Sequence, residues 1–296
     1  MAHTEILAGD LYFGEGPRWH EDRLWVSDFY AHSVLSVGLD GDVITELELD
    51  DQPSGLGWLA DGRLLVASMT RRVVVRREHD GSLVDHADLS AIAGFHINDM
   101  IVDDAGRAYV GNFGFDLEAA VAEHGLEPLL DEPGALPASL ALVGPDGTAR
   151  AAAHGLAFPN GMAITPDGGT LIVAETLGRR LTAFDRRPDG TLTNRRLWAA
   201  FDGDRTVLPD GICLDADGAV WVANPAAPCA LRVTEGGEVL AEVETTQPAF
   251  ACALGGPQRR HLVVCTAPSS SSVEASAARN GKLELVEVPT PGAGIP

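Results

Sequence analysis

"TPDGGTLIVAE", Thr165–Glu175, is a polar turn at Asp167-Gly168-Gly169 followed by an apolar run. A tight turn flanked by strand-forming residues is the signal of a β-hairpin. The same unit recurs as "WHEDRLWVSD" from Trp19, "LADGRLLVAS" from Leu59 and "VDDAGRAYVGN" from Val102. It continues as "LDADGAVWVAN" from Leu214 and "LGGPQRRHLVVCT" from Leu254. Between the copies lie further pairs of short strand patterns around Asp-Gly or Gly-Gly turns, such as "SVLSVGLDGDVITELEL" and "ALRVTEGGEVLAEVE". Six units of four strands predict an all-β fold: a six-bladed β-propeller, four antiparallel strands per blade, around a central channel.

No composition shift marks a domain boundary, so residues 1–296 read as one propeller domain. "HTEILAGDL" (His3–Leu11) is expected to add a strand beside "KLELVEV" (Lys282–Val288) and so close the ring, removing an exposed edge. The helical pattern "DLEAAVAEHGLEPLL" (Asp116–Leu130) sits in a third-blade insertion, about residues 116–137. It is placed either over the channel mouth or as a surface insertion.

The bulk chemistry narrows the partners. A formal net charge of −22 argues against nucleic acid or an anionic membrane surface. No apolar run reaches the ~18–20 residues of a membrane span, and the N-terminus has no signal-peptide pattern. The four cysteines form no CxxC pair, and Cys213 and Cys265 fall in apolar strand patterns. These features predict a cytoplasmic protein with reduced thiols, and a closed propeller is expected to be a monomer.

Counting back four residues from Trp19, Trp58, Val102, Ile164, Leu214 and Leu254 gives Glu15, Ser54, Asn98, Asn160, Asp210 and Phe250. Equivalent positions in successive blades are related by rotation about the axis. Residues at the entrance of the innermost strands therefore converge at one mouth of the channel. Two carboxylates and two amides at one repeat phase suit a hard divalent cation. Ser54 is a further oxygen donor, and Phe250 is not one. Asn-Gly and Asp-Gly are also common turn dipeptides, so the argument rests on the shared phase rather than on any one site. A second set, Asp28, Ser68, Asn112, Glu175, Asn224 and Thr266, is expected further along the same strands. It serves either an ion and waters in the channel or hydrogen bonds at strand ends.

The segments "INDMIVDDAGRAYVGN", "AFPNGMAITPDGGTLIVAET" and "LPDGICLDADGAVWVAN", with "GEGPRW" at Gly14–Trp19, resemble the SMP-30/gluconolactonase/luciferin-regenerating-enzyme family over nearly the whole chain. That resemblance implies a propeller with one divalent cation in its channel, and a small-molecule lactone as substrate. It implies Glu15, Asn160 and Asp210 as metal ligands, with Asn98 a fourth ligand or a substrate contact. The cation is expected to be Ca²⁺ ahead of Zn²⁺, Mg²⁺ or Mn²⁺. Sugar-lactonase members can carry an arginine two residues before the third-blade asparagine; here that residue is His96. An imidazole lacks the arginine fork, so the substrate is expected to be a sugar-type or another small lactone.

The mechanism expected is metal-assisted water attack on a lactone carbonyl. Asp210 is the leading proton acceptor and Asp99 a less favoured one. Asn98 and Asn160 orient oxygens. His96, Asn98, Asp99 and Phe250 are the candidate substrate contacts, with Met100 and Met162 either pocket walls or core. His154 is read as structural. Two alternatives stay open: a phosphotriester-type hydrolase using the same cation, and a non-catalytic, metal-stabilised binding propeller. No GxSxG elbow, dinucleotide fingerprint or P-loop is present.

Overall fold

The computed structural model describes residues 2–295. Six antiparallel sheets of consecutive strands surround a common axis as a six-bladed β-propeller. The innermost strands are Gly14–His20, Pro53–Trp58, Ile97–Val102, Pro159–Ile164, Ile212–Leu214 and Ala249–Gly255. Their residues are almost wholly buried, as are those of the second strands. The outermost strands, such as Val43–Glu48 and Val239–Glu244, are largely exposed. This gradient explains the sequence texture. Inner strands packed on both faces read as apolar runs, while outer strands carry charge.

The core lies between blades. Leu65 and Val74 of the second blade pack with Met100 and Val110 of the third. Leu181 and Ala163 of the fourth blade pack with Val222 and Leu231 of the fifth. At the axis the inner strands approach so closely that side chains are excluded. A Cβ on Gly55 would lie 2.1 Å from the Met100 backbone nitrogen. Gly55→Ala is therefore expected to cost about 3 kcal/mol by overpacking, read as a lowered unfolding midpoint in urea. An unchanged midpoint would show that the inner strands can move apart.

The last blade closes as expected. Glu5–Leu11 pairs antiparallel with Gly281–Glu287, with Glu5 opposite Leu285. Ala2–His3 then crosses to the fifth blade and pairs parallel with its outermost strand, a contact the sequence did not suggest. At the other end of the chain, residues 291–295 cross the finishing ends of the fourth and fifth inner strands. Ile295 bridges Ile164 and Gly292 bridges Asp215. The third-blade insertion forms two helices, Leu117–His124 capped by the Asp116 side chain, and Glu127–Asp131. Among the described residues no helix is long and apolar enough to cross a membrane.

Candidate metal centre

Each candidate residue reaches the axis through an irregularity in its inner strand. From Pro53 to Leu56 the inner strand advances three residues while its partner advances two, from Ser68 to Val66. The same extra residue occurs between Ile97 and Met100, between Pro159 and Met162, and between Glu15 and Arg18. The sixth blade slips between Ala249 and Ala251. Such β-bulges bend the strand and re-aim a side chain. Ser54, Asn98, Asn160 and Phe250 sit within the bulges, and Glu15 begins its own. The fifth blade differs: Asp210 lies two residues ahead of a three-residue strand, its backbone N–H bonded to Ala223.

The glycine that follows several of these positions has two different causes. Gly16 has φ 58°, a left-handed conformation that favours glycine. Gly161 and Gly211 are there for space, because a Cβ on either would come within 2.5 Å of the next inner strand's backbone. In the third blade the same slot holds Asp99. Phe158, just before Pro159-Asn160, holds φ 61° although it is bulky. It is a strained residue at the entrance of the candidate site.

Glu15, Asn98, Asp99, Asn160 and Asp210 are all buried. The Asn160 amide donates to Thr176 Oγ1 at 3.2 Å, and Thr176 Oγ1 donates to the Pro209 carbonyl. The Asn160 side chain also bonds to Asp210. The Asn98 amide donates to the Pro159 carbonyl at 3.2 Å. This leaves Asn98 Oδ1, and likewise Asp210 Oδ1, buried with no partner among the described residues.

Electrostatics joins Glu15 to the same group. Burial pushes the Glu15 carboxyl well above its usual range, and Asp210 and Asp99 push it further. Asp210 is raised for the same leading reason, reinforced by Asp99 and Cys252 and opposed by the Asn160 and Gly211 bonds. Asp99 is raised by burial and held down by Arg18. Arg18, itself buried, crosses from the first inner strand to donate to the Met100 carbonyl at 2.5 Å. One guanidinium thus faces two of the three buried carboxylates, Asp99 and Glu15.

A cation is the species such a site fits. Two buried oxygens without donors and mutually repelling carboxylates are costly unless a positive charge enters. Among the described residues no three His, Cys, Asp or Glu side chains form a ligand cluster. The candidate set is instead two carboxylates, Glu15 and Asp210, with the amides of Asn98 and Asn160, all hard oxygen donors.

The other sequence candidates fall elsewhere. Phe250 packs edge-on against Phe13 at 4.7 Å, and Ser54 is buried in the ring of strand entrances, its carbonyl accepting from Ser27 Oγ. His96 is half-buried at the mouth, stacked on Phe95 at 4.0 Å, and burial lowers its pKa. Met100 and Met162 belong to the packing between blades, not to a pocket wall. The bulge resets the alternation, so the residue two places on turns toward the neighbouring blade. His154 lies on the outermost strand of the third blade and bonds Ser139.

Asp28, Ser68, Asn112, Glu175, Asn224 and Thr266 do not lie along the inner strands. They end the second strands, which run back to the same mouth. There they bind the segment entering an inner strand or its supports. Asp28 accepts from the Tyr12 and Phe13 N–H groups, Glu175 from Ala157 N–H and Asn224 from Leu208 N–H. In the first, fourth and fifth blades these residues thus fix the segment that enters the inner strand, while Asn112 donates to the Ser139 carbonyl and Thr266 to Glu284.

The mouth is covered. Leu117, Leu129 and Leu130 of the insertion pack toward Phe158. The Glu118 carboxylate accepts from Ser272 N–H at 2.5 Å and from its hydroxyl at 2.6 Å, linking the insertion to the helix Ser272–Ala277 of the sixth blade. Beneath it the Tyr30 phenol is pushed up to about 12, by burial and then by Glu118. A separate cavity of about 520 Å³ opens where the inner strands finish, lined by Trp19, Trp58 and Ile295, away from the ring carboxylates.

Residues 13–268 match the family model described as the SMP-30/gluconolactonase/LRE-like region. The chain belongs to this family. Its relatives include a pentonolactonase of Haloferax volcanii, 24% identical over 279 residues, 90% of this chain and 86% of that one. A 6-deoxy-6-sulfogluconolactonase of Pseudomonas putida is 25% identical and covers 88% of this chain and 85% of its own. The crystal structure of a calcium-binding protein, regucalcin, from Agrobacterium tumefaciens superposes with a TM-score of 0.80. It covers 100% of this chain and 97% of its own at 21% identity. At that identity the superposition speaks for the fold alone.

Proposed function

We propose that this family member is a divalent-metal-dependent lactonase whose centre is Glu15, Asn98, Asn160 and Asp210. The observation that carries the proposal is the buried pair Glu15 and Asp210, with Asp210 Oδ1 and Asn98 Oδ1 lacking any partner among the described residues. The lactonase names of full-length relatives support the reaction class. Ca²⁺ is the first cation to test, because a structural neighbour is described as calcium-binding.

A divalent cation held by these four side chains supplies polarisation of a lactone carbonyl and charge to balance the developing oxyanion. The chain's own groups do the rest. Asp210 takes the proton of the attacking water through the carboxylate oxygen that does not face the cation, as a general base placed within reach of the reacting atoms. Asn160, tied to Thr176, and Asn98, tied to Pro159, hold their amides in one orientation. Asp99, itself held by Arg18, acts on Asp210 from behind. His96 and Phe250 stand at the entrance as substrate contacts.

The test is acid release from a lactone panel, followed with a pH indicator. Protein stripped with chelator is compared with protein reloaded with Ca²⁺, Mg²⁺, Mn²⁺ or Zn²⁺. Metal-restored turnover is expected. Turnover indifferent to chelation, or none with any cation, would overturn the proposal.

The raised carboxyls also predict a pH dependence. Metal-free protein keeps protons on Glu15 and Asp210 above the usual carboxylate range, and cation binding must expel them. Affinity should therefore rise with pH. The stability of the metal-free form should fall over the same window, because the native state binds more protons than the unfolded chain. Calorimetric titration in two buffers of different ionisation enthalpy measures the protons released. Zero release at pH 6 would contradict the assignment.

A further inference from the structure

Each blade brings two further side chains to the covered mouth. One stands two residues before the ring position, and the other follows the end of the second strand. These places hold Phe13, His96 and Phe158, and Phe29, Met69 and Phe113. Phe13 lies 5.3 Å from Phe29 and 4.7 Å from Phe250. Phe113 lies 4.6 Å from Phe158, edge to face, and 6.2 Å from His96. Phe113 also packs against the cluster of Phe13, Phe29, Met69 and Phe250, and so joins the two arcs into one apolar collar above the candidate metal centre.

Polar groups in this collar are few. Across all six blades the two positions hold only Gln52, His96 and Thr176 as polar residues. Thr176 is already engaged with Asn160 and Pro209. A polyhydroxylated lactone would bring several hydroxyls against aromatic faces with little to bond them, and a buried hydroxyl without a partner is penalised. A hydrocarbon substituent meets the opposite case, since each methylene withdrawn from water improves binding by about fourfold.

We infer that the lactone opened here carries a hydrocarbon substituent, laid against the half-buried Phe113 and His96 at the rim of the buried Phe13–Phe250 collar, rather than a ring of free hydroxyls. This rests on the lactonase assignment above and narrows its substrate class. The rim holds the substituent while the ring carbonyl faces Asp210.

The test compares kcat/KM for a δ-lactone bearing a pentyl chain with that for glucono-δ-lactone, using metal-loaded full-length protein. The ratio is expected to favour the alkyl lactone by at least about tenfold. Phe113→Ala should lower that ratio, and Phe113→Leu, which returns apolar surface, should restore most of it. A ratio of one or less in the wild type, or a ratio indifferent to Phe113→Ala in a variant with unchanged melting, would overturn the inference. Should neither lactone be opened, the lactonase assignment fails on its own. The collar is then decided by calorimetry with the corresponding non-hydrolysable lactams. Tighter binding of the pentyl lactam than of the polyhydroxylated one upholds it, and equal or reversed affinity overturns it.

Discussion

Asp210→Asn should lower kcat/KM for lactone opening by about 10³-fold, in the range that loss of a general base produces. The substitution keeps the shape of the side chain and removes its charge. Because Asp210 is buried, repelled by Asp99 and short of one hydrogen-bond donor, the metal-free variant should be no less stable than the wild type. That pairing separates lost chemistry from lost fold. Activity within about tenfold of wild type would move the proton acceptor elsewhere, and Asp99, the other buried carboxylate in reach, would be next.

Asn160→Ala is expected to weaken cation binding by at least about 100-fold, since losing even an outer-sphere partner costs a metal site about 10–100-fold and Asn160 is proposed as a ligand. The Asn160 side chain makes no sheet hydrogen bond: among the described residues its amide donates to Thr176 and lies against Asp210. The propeller should therefore remain folded, with its unfolding transition intact in the absence of metal. Calorimetric titration with Ca²⁺ and Mn²⁺ provides the measurement. Unchanged affinity in a folded variant would remove Asn160 from the ligand set and leave its role as the turn residue its Pro-Asn-Gly context already explains.

The repeat phase that singles out Asn160 also shows what kind of information a sequence carries here. Hairpin turns and apolar runs are local, and their spacing exposes six equivalent units. Once the units are equivalent, rotation about an axis brings Glu15, Asn98, Asn160 and Asp210 to one mouth, with no local metal motif required. The same logic located Phe250 as the apolar member of that ring.

Other features were not legible, for physical reasons that can be named. The β-bulge is one extra residue in an inner strand relative to its partner, a mismatch between two segments that neither shows alone. It is why Met100 and Met162 turn into the packing between blades. The set from Asp28 to Thr266 was misplaced along the inner strands because a repeat fixes phase but not strand direction. The antiparallel return puts those side chains at the entrance, where Asp28, Glu175 and Asn224 hold the incoming loops.

The sequence by itself determined the six-fold repeat, the ring closure by the N-terminal strand and the candidate oxygen donors, because each follows from periodicity. Only the tertiary structure decided how the donors stand to one another, which oxygens lack partners, and that the mouth is an aromatic collar under a helical cover. Those properties arise where residues far apart in the chain meet. The Glu118–Ser272 link spans 154 positions, and no local pattern encodes such a meeting.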